Sequence, residues 1–167
     1  FIFTSTDYGV TWTQRFTALN GDFRAISISS TGQYQAAVIP GGNTYRSSDY
    51  GVNWTTYSGI GHGSAYAMAI SSTGQYQTTS SGSNGICISS DYGVTFTVSN
   101  TSITGGSNRI AMSSNGQYRT TYASGGTLYT SSDYGISWTS RNNNRSWYGI
   151  SMSSTGQYQS ASVNSST

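Results

Sequence analysis

Acid–base or nucleophilic chemistry in this chain would have to come from a short stock: five aspartates, one histidine and one cysteine, with no glutamate and no lysine. Four of the aspartates, Asp7, Asp49, Asp91 and Asp133, stand at an even spacing of 42 residues, and only Asp22 lies outside the series. Glycoside hydrolysis normally needs two carboxylates at a short, defined separation. A residue copied at equal intervals is instead the mark of a scaffold, so these four read as braces of hairpins. No catalytic residue is assigned, and the chain is expected not to be an enzyme.

The other reactive residues offer little more. His62, in the stretch GIGHGS, has no second histidine or cysteine at metal-ligand spacing and reads as a solvated loop residue. A nucleophile, histidine and acid could only be Cys87 or a serine with His62 and Asp22, and no recognised spacing joins them. The glycine pairs Gly41-Gly42, Gly105-Gly106 and Gly125-Gly126 lack a following lysine and helix, so they read as turns rather than phosphate loops. Cys87 falls in the column filled by Phe3, Tyr45 and Tyr129 and is expected to replace a packed aromatic. No metal and no cofactor is expected.

The elements that carry these residues are repeated. Each unit has a segment STDYGVTWT, SSDYGVNWT, SSDYGVTFT or SSDYGISWT, starting at Ser5, Ser47, Ser89 and Ser131. Each also has a segment SSTGQYQ, written SSNGQYR from Ser113, with glycines at Gly32, Gly74, Gly116 and Gly156. Ahead of the second segment, apolar residues alternate with small ones: Ile26 and Ile28, Met68 and Ile70, Ile110 and Met112, Ile150 and Met152. That is the period of a strand with one face in a core. Thr-Gly or Asn115-Gly116 then supplies the glycine of a tight hairpin. With only two leucines and no apolar spacing of three and four, no helix is expected. A repeat of about 42 residues suits one four-stranded antiparallel blade. The expected fold is all-β, a β-propeller of four such repeats, with units at about 1–42, 43–84, 85–126 and 127–167 forming one repeat region.

The pattern S-x-D-x-G-x-x-W resembles the Asp-box, or BNR repeat, of sialidase-like and sortilin-like β-propellers, and all four units carry it. The resemblance implies a structural role for Asp7, Gly9 and Trp12, for Asp49, Gly51 and Trp54, for Asp91, Gly93 and Phe96, and for Asp133, Gly135 and Trp138. The physical reading agrees. The carboxylate can accept backbone N–H bonds in the hairpin, the glycine suits a positive φ, and the tryptophan covers the turn. The sialidase mechanism resembles a tyrosine nucleophile assisted by a glutamate, and this chain has no glutamate to fill that role.

Charged residues make up only 7% of the chain and its net charge is +2, so no basic stripe for nucleic acid is present. The longest apolar run, Ala65 to Ile70, is far short of the roughly 18 residues of a membrane-spanning helix. Membrane insertion is not expected. In register, the chain opens with strands three and four of one blade and stops after strands one and two of another. Three arrangements follow. Phe1 to Arg15 could pair with Trp147 to Ser162 in a closed four-bladed ring, which is the favoured one; the array could be a segment of a longer one; or one chain could complete its last blade with the first strands of the next.

Uncharged, Ser/Thr/Tyr-rich tandem repeats without caps or a carboxylate pair suggest a non-enzymatic structural or adhesive module, extracellular or on the cell surface. Its expected partner is itself, head to tail or laterally, or further repeats of the same chain. The alternative is glycan binding through the variable connections between strand four and the next strand one, where Phe16, Phe23, Arg24, His62, Tyr66, Arg109, Arg145 and Trp147 would form an aromatic and basic surface. Sequons at Asn53, Asn100, Asn144 and Asn164 are candidates for N-glycosylation.

Overall fold

The computed structural model describes residues 1–16, 22–41, 43–57, 65–82, 84–104, 109–141 and 144–164. Among these residues the regular elements are sixteen strands, as the β-branched, aromatic and hydroxyl-rich composition favours. Strands β1 (Ile2–Thr4) and β2 (Thr13–Phe16) form a two-stranded sheet. Three four-stranded sheets follow: β3 (Ala25–Ile28) to β6 (Thr55–Tyr57) through β4 (Gln35–Val38) and β5 (Thr44–Ser47); β7 (Ala65–Ile70) to β10 (Thr97–Asn100) through β8 (Gln77–Ser81) and β9 (Gly85–Ser89); and β11 (Ile110–Met112) to β14 (Thr139–Arg141) through β12 (Arg119–Tyr122) and β13 (Leu128–Ser131). Strands β15 (Trp147–Met152) and β16 (Gln159–Val163) form a second two-stranded sheet. Every pairing is antiparallel between sequence neighbours, which makes each complete sheet a meander and hence a blade.

The first strands of successive units pack side by side, β3 on β7, β7 on β11 and β11 on β15. Their turns are joined by a backbone relay: Ser30 N–H donates to the Ser72 carbonyl, Ser72 to Ser114 and Ser114 to Ser154, at 3.0, 2.8 and 2.8 Å. Within each hairpin the Ser-Thr-Gly geometry explains the repeat, since Gly32 N–H donates to Ser29 O at 2.9 Å and Tyr34 N–H to Ser29 Oγ at 3.0 Å, with Gly32 at φ +79°. Strands β6, β10 and β14 lie outermost and are largely exposed.

The core sits between blades. Ala36 and Val38 of β4 meet Ala65 and Met68 of β7, with Cys87 and Phe96 completing the cluster. Cys87 is fully buried, as its aromatic column predicts, and burial pushes its thiol up to about 11. Two expectations need correction. Ile26 and Ile28 do not enter a core but are 56% and 57% exposed, because the half-sheet β1–β2 beside them does not extend across their face. The closed ring expected from pairing Phe1–Arg15 with Trp147–Ser162 is not formed, because β1–β2 and β15–β16 remain separate sheets. Met68 and Phe96 pack with Ala36 and Val38 in the cluster that joins the first two complete blades.

Candidate functional site

The four repeated aspartates brace their own turns and do not meet. Ser5 Oγ donates to Asp7 Oδ1 at 2.7 Å and accepts the Gly9 N–H at 2.9 Å, while Thr11 donates to Asp7 through both its N–H and its hydroxyl, at 2.9 and 2.6 Å. The same net recurs around Asp49, Asp91 and Asp133. In the second unit Asn53 takes the threonine's place, and its Nδ2 donates to Asp49 Oδ2 at 2.6 Å, so this sequon side chain is engaged in the turn. Both central turn residues are left-handed, with Tyr8, Tyr50, Tyr92 and Tyr134 at φ 57–63° ahead of glycines at 75–86°. The tyrosine's positive φ was not legible from the motif. Such a conformation costs about 1–2 kcal/mol and is held by the hydrogen bonds around it.

These bonds set the electrostatics. The Thr11 hydroxyl and N–H, then the Ser5 hydroxyl, hold Asp7 down at about 2. Asp49 is lowered chiefly by the Asn53 N–H and Asp133 chiefly by the Ser137 hydroxyl. At Asp91 burial pulls upward, but the hydroxyl and N–H of Thr95 and the Ser89 hydroxyl outweigh it. A carboxylate so held stays ionised and is unsuited to giving up a proton near neutral pH.

The tryptophan column behaves unevenly. Each indole N–H donates to the turn glycine's carbonyl, from Trp12 to Gly9, Trp54 to Gly51 and Trp138 to Gly135, at 3.0, 2.9 and 3.0 Å. Phe96, without that donor, is buried against Tyr57 with ring centroids 5.4 Å apart. Trp12 lies over its turn glycine with this bond while being 62% exposed.

A second constellation lies where the first strands of several units begin. A hollow of about 580 Å³ is lined by Arg24, Tyr66, Arg109 and Trp147, together with Tyr122, Ser146, Tyr148 and Asn164. Four of the eight residues proposed for glycan contact therefore converge. Phe23 is diverted into an aromatic cluster with Phe16 and Tyr45, at centroid separations of 6.4 and 5.5 Å. Arg145 lies outside the lining; its N–H donates to Gly126 O at 3.3 Å and its carbonyl accepts from Trp147 N–H. His62 falls outside the described residues. Trp147 is anchored by an indole N–H bond to Gly126 O at 2.9 Å. Tyr122 has its hydroxyl on the Tyr148 carbonyl at 3.2 Å; burial raises its pKa, and nearby Arg109 opposes that rise. Arg24 and Arg109 are the two charged residues of this lining. The sequence did not point to Tyr122, which closes a strand far from the variable connections.

Of the other sequons, Asn100 Oδ1 accepts the N–H groups of Ser102 and Ile103, at 2.8 and 3.2 Å, while Asn144 and Asn164 are exposed. Among the described residues no cluster of histidine, cysteine, aspartate or glutamate suits a metal ion, and no helix is long and apolar enough to cross a membrane.

The BNR-Asp box repeat family matches residues 128–140, the turn around Asp133. The repeat is an Asp-box, set in a β-propeller. The three other turns share its hydrogen-bond net. Among solved structures, the chain is similar to YCF48 bound to a D1 peptide (18% identity, TM-score 0.68, 95% of this chain and 54% of that one). It is also similar to a chain of a nidogen/laminin complex (9%, 0.73, 93% and 61%) and to a GH74 xyloglucanase from Xanthomonas campestris (13%, 0.56, 77% and 25%). This chain thus spans less than two thirds of each of those chains. No curated protein matches its sequence.

Proposed function

We propose that this Asp-box propeller is a non-enzymatic structural or adhesive module, extracellular or on the cell surface, that acts through its surfaces and extends head to tail. The observation that carries this reading is the commitment of all four box carboxylates to separate turns, which leaves Asp22 as the one carboxylate outside them. Acid–base hydrolysis at two facing carboxylates has no second partner to use. A panel of fluorogenic glycosides, sialosides included, is expected to show no turnover. Turnover that disappears on replacing any one aspartate by alanine would overturn the reading. Glycans attached at Asn144 and Asn164, both exposed, would suit such a surface, and intact-mass measurement on secreted protein tests their occupancy.

A second reading is favoured by one observation, the convergence of Arg24, Tyr66, Arg109 and Trp147 on a single hollow. Aromatic faces beside hydrogen-bonding cations suit a carbohydrate. A glycan array that includes xyloglucan fragments, run with Arg109→Ala and Trp147→Ala controls, tests it. Binding lost in both variants supports this reading, and binding unchanged in both removes it.

A further inference from the structure

The hollow that gathers Arg24, Tyr66, Arg109 and Trp147 has its rings tethered by their polar edges. The Trp147 indole N–H donates to Gly126 O at 2.9 Å, and the Tyr122 hydroxyl donates to Tyr148 O at 3.2 Å, so both of these donors are engaged by backbone carbonyls. The backbone around them is held as well. Arg24 N–H donates to Val38 O at 2.9 Å, the Arg109 carbonyl accepts from the Thr121 hydroxyl at 2.8 Å, and Asn164 N–H donates to Ser146 O at 2.8 Å. What such a lining presents to a ligand is aromatic surface and two guanidinium groups, each a planar fork of N–H donors. Both arginines are exposed.

In a chain of which only 7% is charged, two arginines on one hollow are a local concentration of charge. The acids stand elsewhere. Asp7, Asp49, Asp91 and Asp133 are bound into their own turns, and Asp22, the fifth, is not part of the lining. The two cations also come from different blades. Arg24 precedes β3 and Arg109 precedes β11, while β7, with Tyr66 as its second residue, packs against both strands. Arg109 lies close enough to Tyr122 to oppose the rise that burial imposes on its hydroxyl, so its charge reaches the wall of the hollow. An elongated ligand with acidic groups at intervals meets both guanidinium groups, and the faces of Tyr66 and Trp147 suit the apolar faces of sugar rings. A neutral saccharide could use the same donors, but bonds from guanidinium to an anion are roughly twice as strong and take the bidentate form.

We propose that the hollow binds an acidic polysaccharide, a chain bearing uronate or sulfate groups at intervals, with Arg24 and Arg109 each pairing with a separate acidic group and Tyr66 and Trp147 packing on the sugar rings. The inference rests on the glycan-binding reading of this hollow and adds to it the charge and the repeat of the ligand.

Calorimetric titration of the whole chain tests this, with protein made free of N-glycans because Asn164 lines the hollow. The probes are oligogalacturonate, sulfated galactan fragments and neutral xyloglucan fragments of matched length. At least one acidic chain should bind about tenfold or more tighter than the neutral one, and its affinity should fall as sodium chloride is raised. Which acidic chain binds tells uronate from sulfate. Arg24→Gln and Arg109→Gln should each weaken acidic binding by about tenfold and the double variant by about the product of the two, with melting temperatures unchanged because both side chains are exposed. Arg109→Lys, which keeps the charge without the fork, should lose less than Arg109→Gln. Trp147→Ala should weaken every saccharide that binds. Equal binding of acidic and neutral chains, still lost in Trp147→Ala, would overturn the inference and leave the glycan reading standing. Acidic binding that persists in the double arginine variant would overturn it too. If no saccharide binds, that reading and this inference fall together.

Discussion

Strands β12 and β16 hold the same place in successive repeats, yet one is wholly buried and the other wholly exposed. Their residues do not explain this. Arg119, the most polar residue of either strand, is the buried one, with its Nε on Gly116 O at 2.9 Å and its guanidinium also on the Thr78 hydroxyl of the neighbouring blade. Burial even brings that guanidinium down to about 10, opposed by Tyr76 and Asp133. Burial in this fold is conferred by the neighbouring strand or blade, so the same side chain is core in the middle of the arc and surface at its ends.

The sharpest way to break this comparison is to place one substitution on both sides of it. Ala37→Arg should unfold the protein or cost more than about 4 kcal/mol, because Ala37 is fully buried, while Ala161→Arg leaves thermal melting unchanged. Equal losses would show that the exposed strand is covered in solution within a single copy.

A smaller contrast is expected at the hairpin glycines. Gly74→Ala forces a Cβ to within 2.6 Å of Tyr34 Cβ as well as straining φ, and should cost about 2–4 kcal/mol; Gly32→Ala meets nothing closer than 3.8 Å and should cost only the strain, about 1–2 kcal/mol. Urea midpoints measure both.

The tyrosine stacks sharpen the comparison further. Tyr92 stacks on Tyr34 with centroids 4.6 Å apart, so Tyr92→Ala should cost roughly 1 kcal/mol. Tyr8→Ala, at a fully exposed ring, should leave the isolated chain unchanged.

The smallest effect, shared by all four boxes, is on pH dependence. Each box carboxylate is held below its ordinary value of 3.8, Asp7 at about 2, so the folded state binds fewer protons than the unfolded one. The sign is that of a depressed acid: the stabilisation is fully present above about pH 5 and is lost progressively as pH falls toward 2. Urea midpoints at pH 7, 4 and 2.5 should fall mostly in the last interval. Replacing Asp7 by asparagine should reduce that fall.

Much of the fold was legible because the repeat writes its own hydrogen-bond partners locally. Ser5, Asp7, Gly9 and Thr11 bond to one another within seven residues, and so do Ser29, Gly32 and Tyr34, so spacing alone identifies them. The aromatic column placed Cys87 in a core for the same reason of repetition. The candidate site was only half legible. Arg24, Tyr66, Arg109 and Trp147 stand near the variable connections and were found, whereas Tyr122 reaches the hollow from the far end of a second strand, and Phe23 was withdrawn into a cluster with Phe16 and Tyr45. Which side chains converge depends on the angle between blades, and no local pattern encodes that angle.

The sequence by itself determined the hairpins, their turns and the antiparallel order of the strands, because those contacts join residues a few positions apart and recur four times. Only the tertiary structure decided that β1–β2 and β15–β16 stand as separate sheets, that Ile26 and Ile28 are exposed, and that two arginines share one hollow. The reason is one of range: turns are closed by hydrogen bonds within a segment, while curvature is the sum of small packing angles between whole sheets.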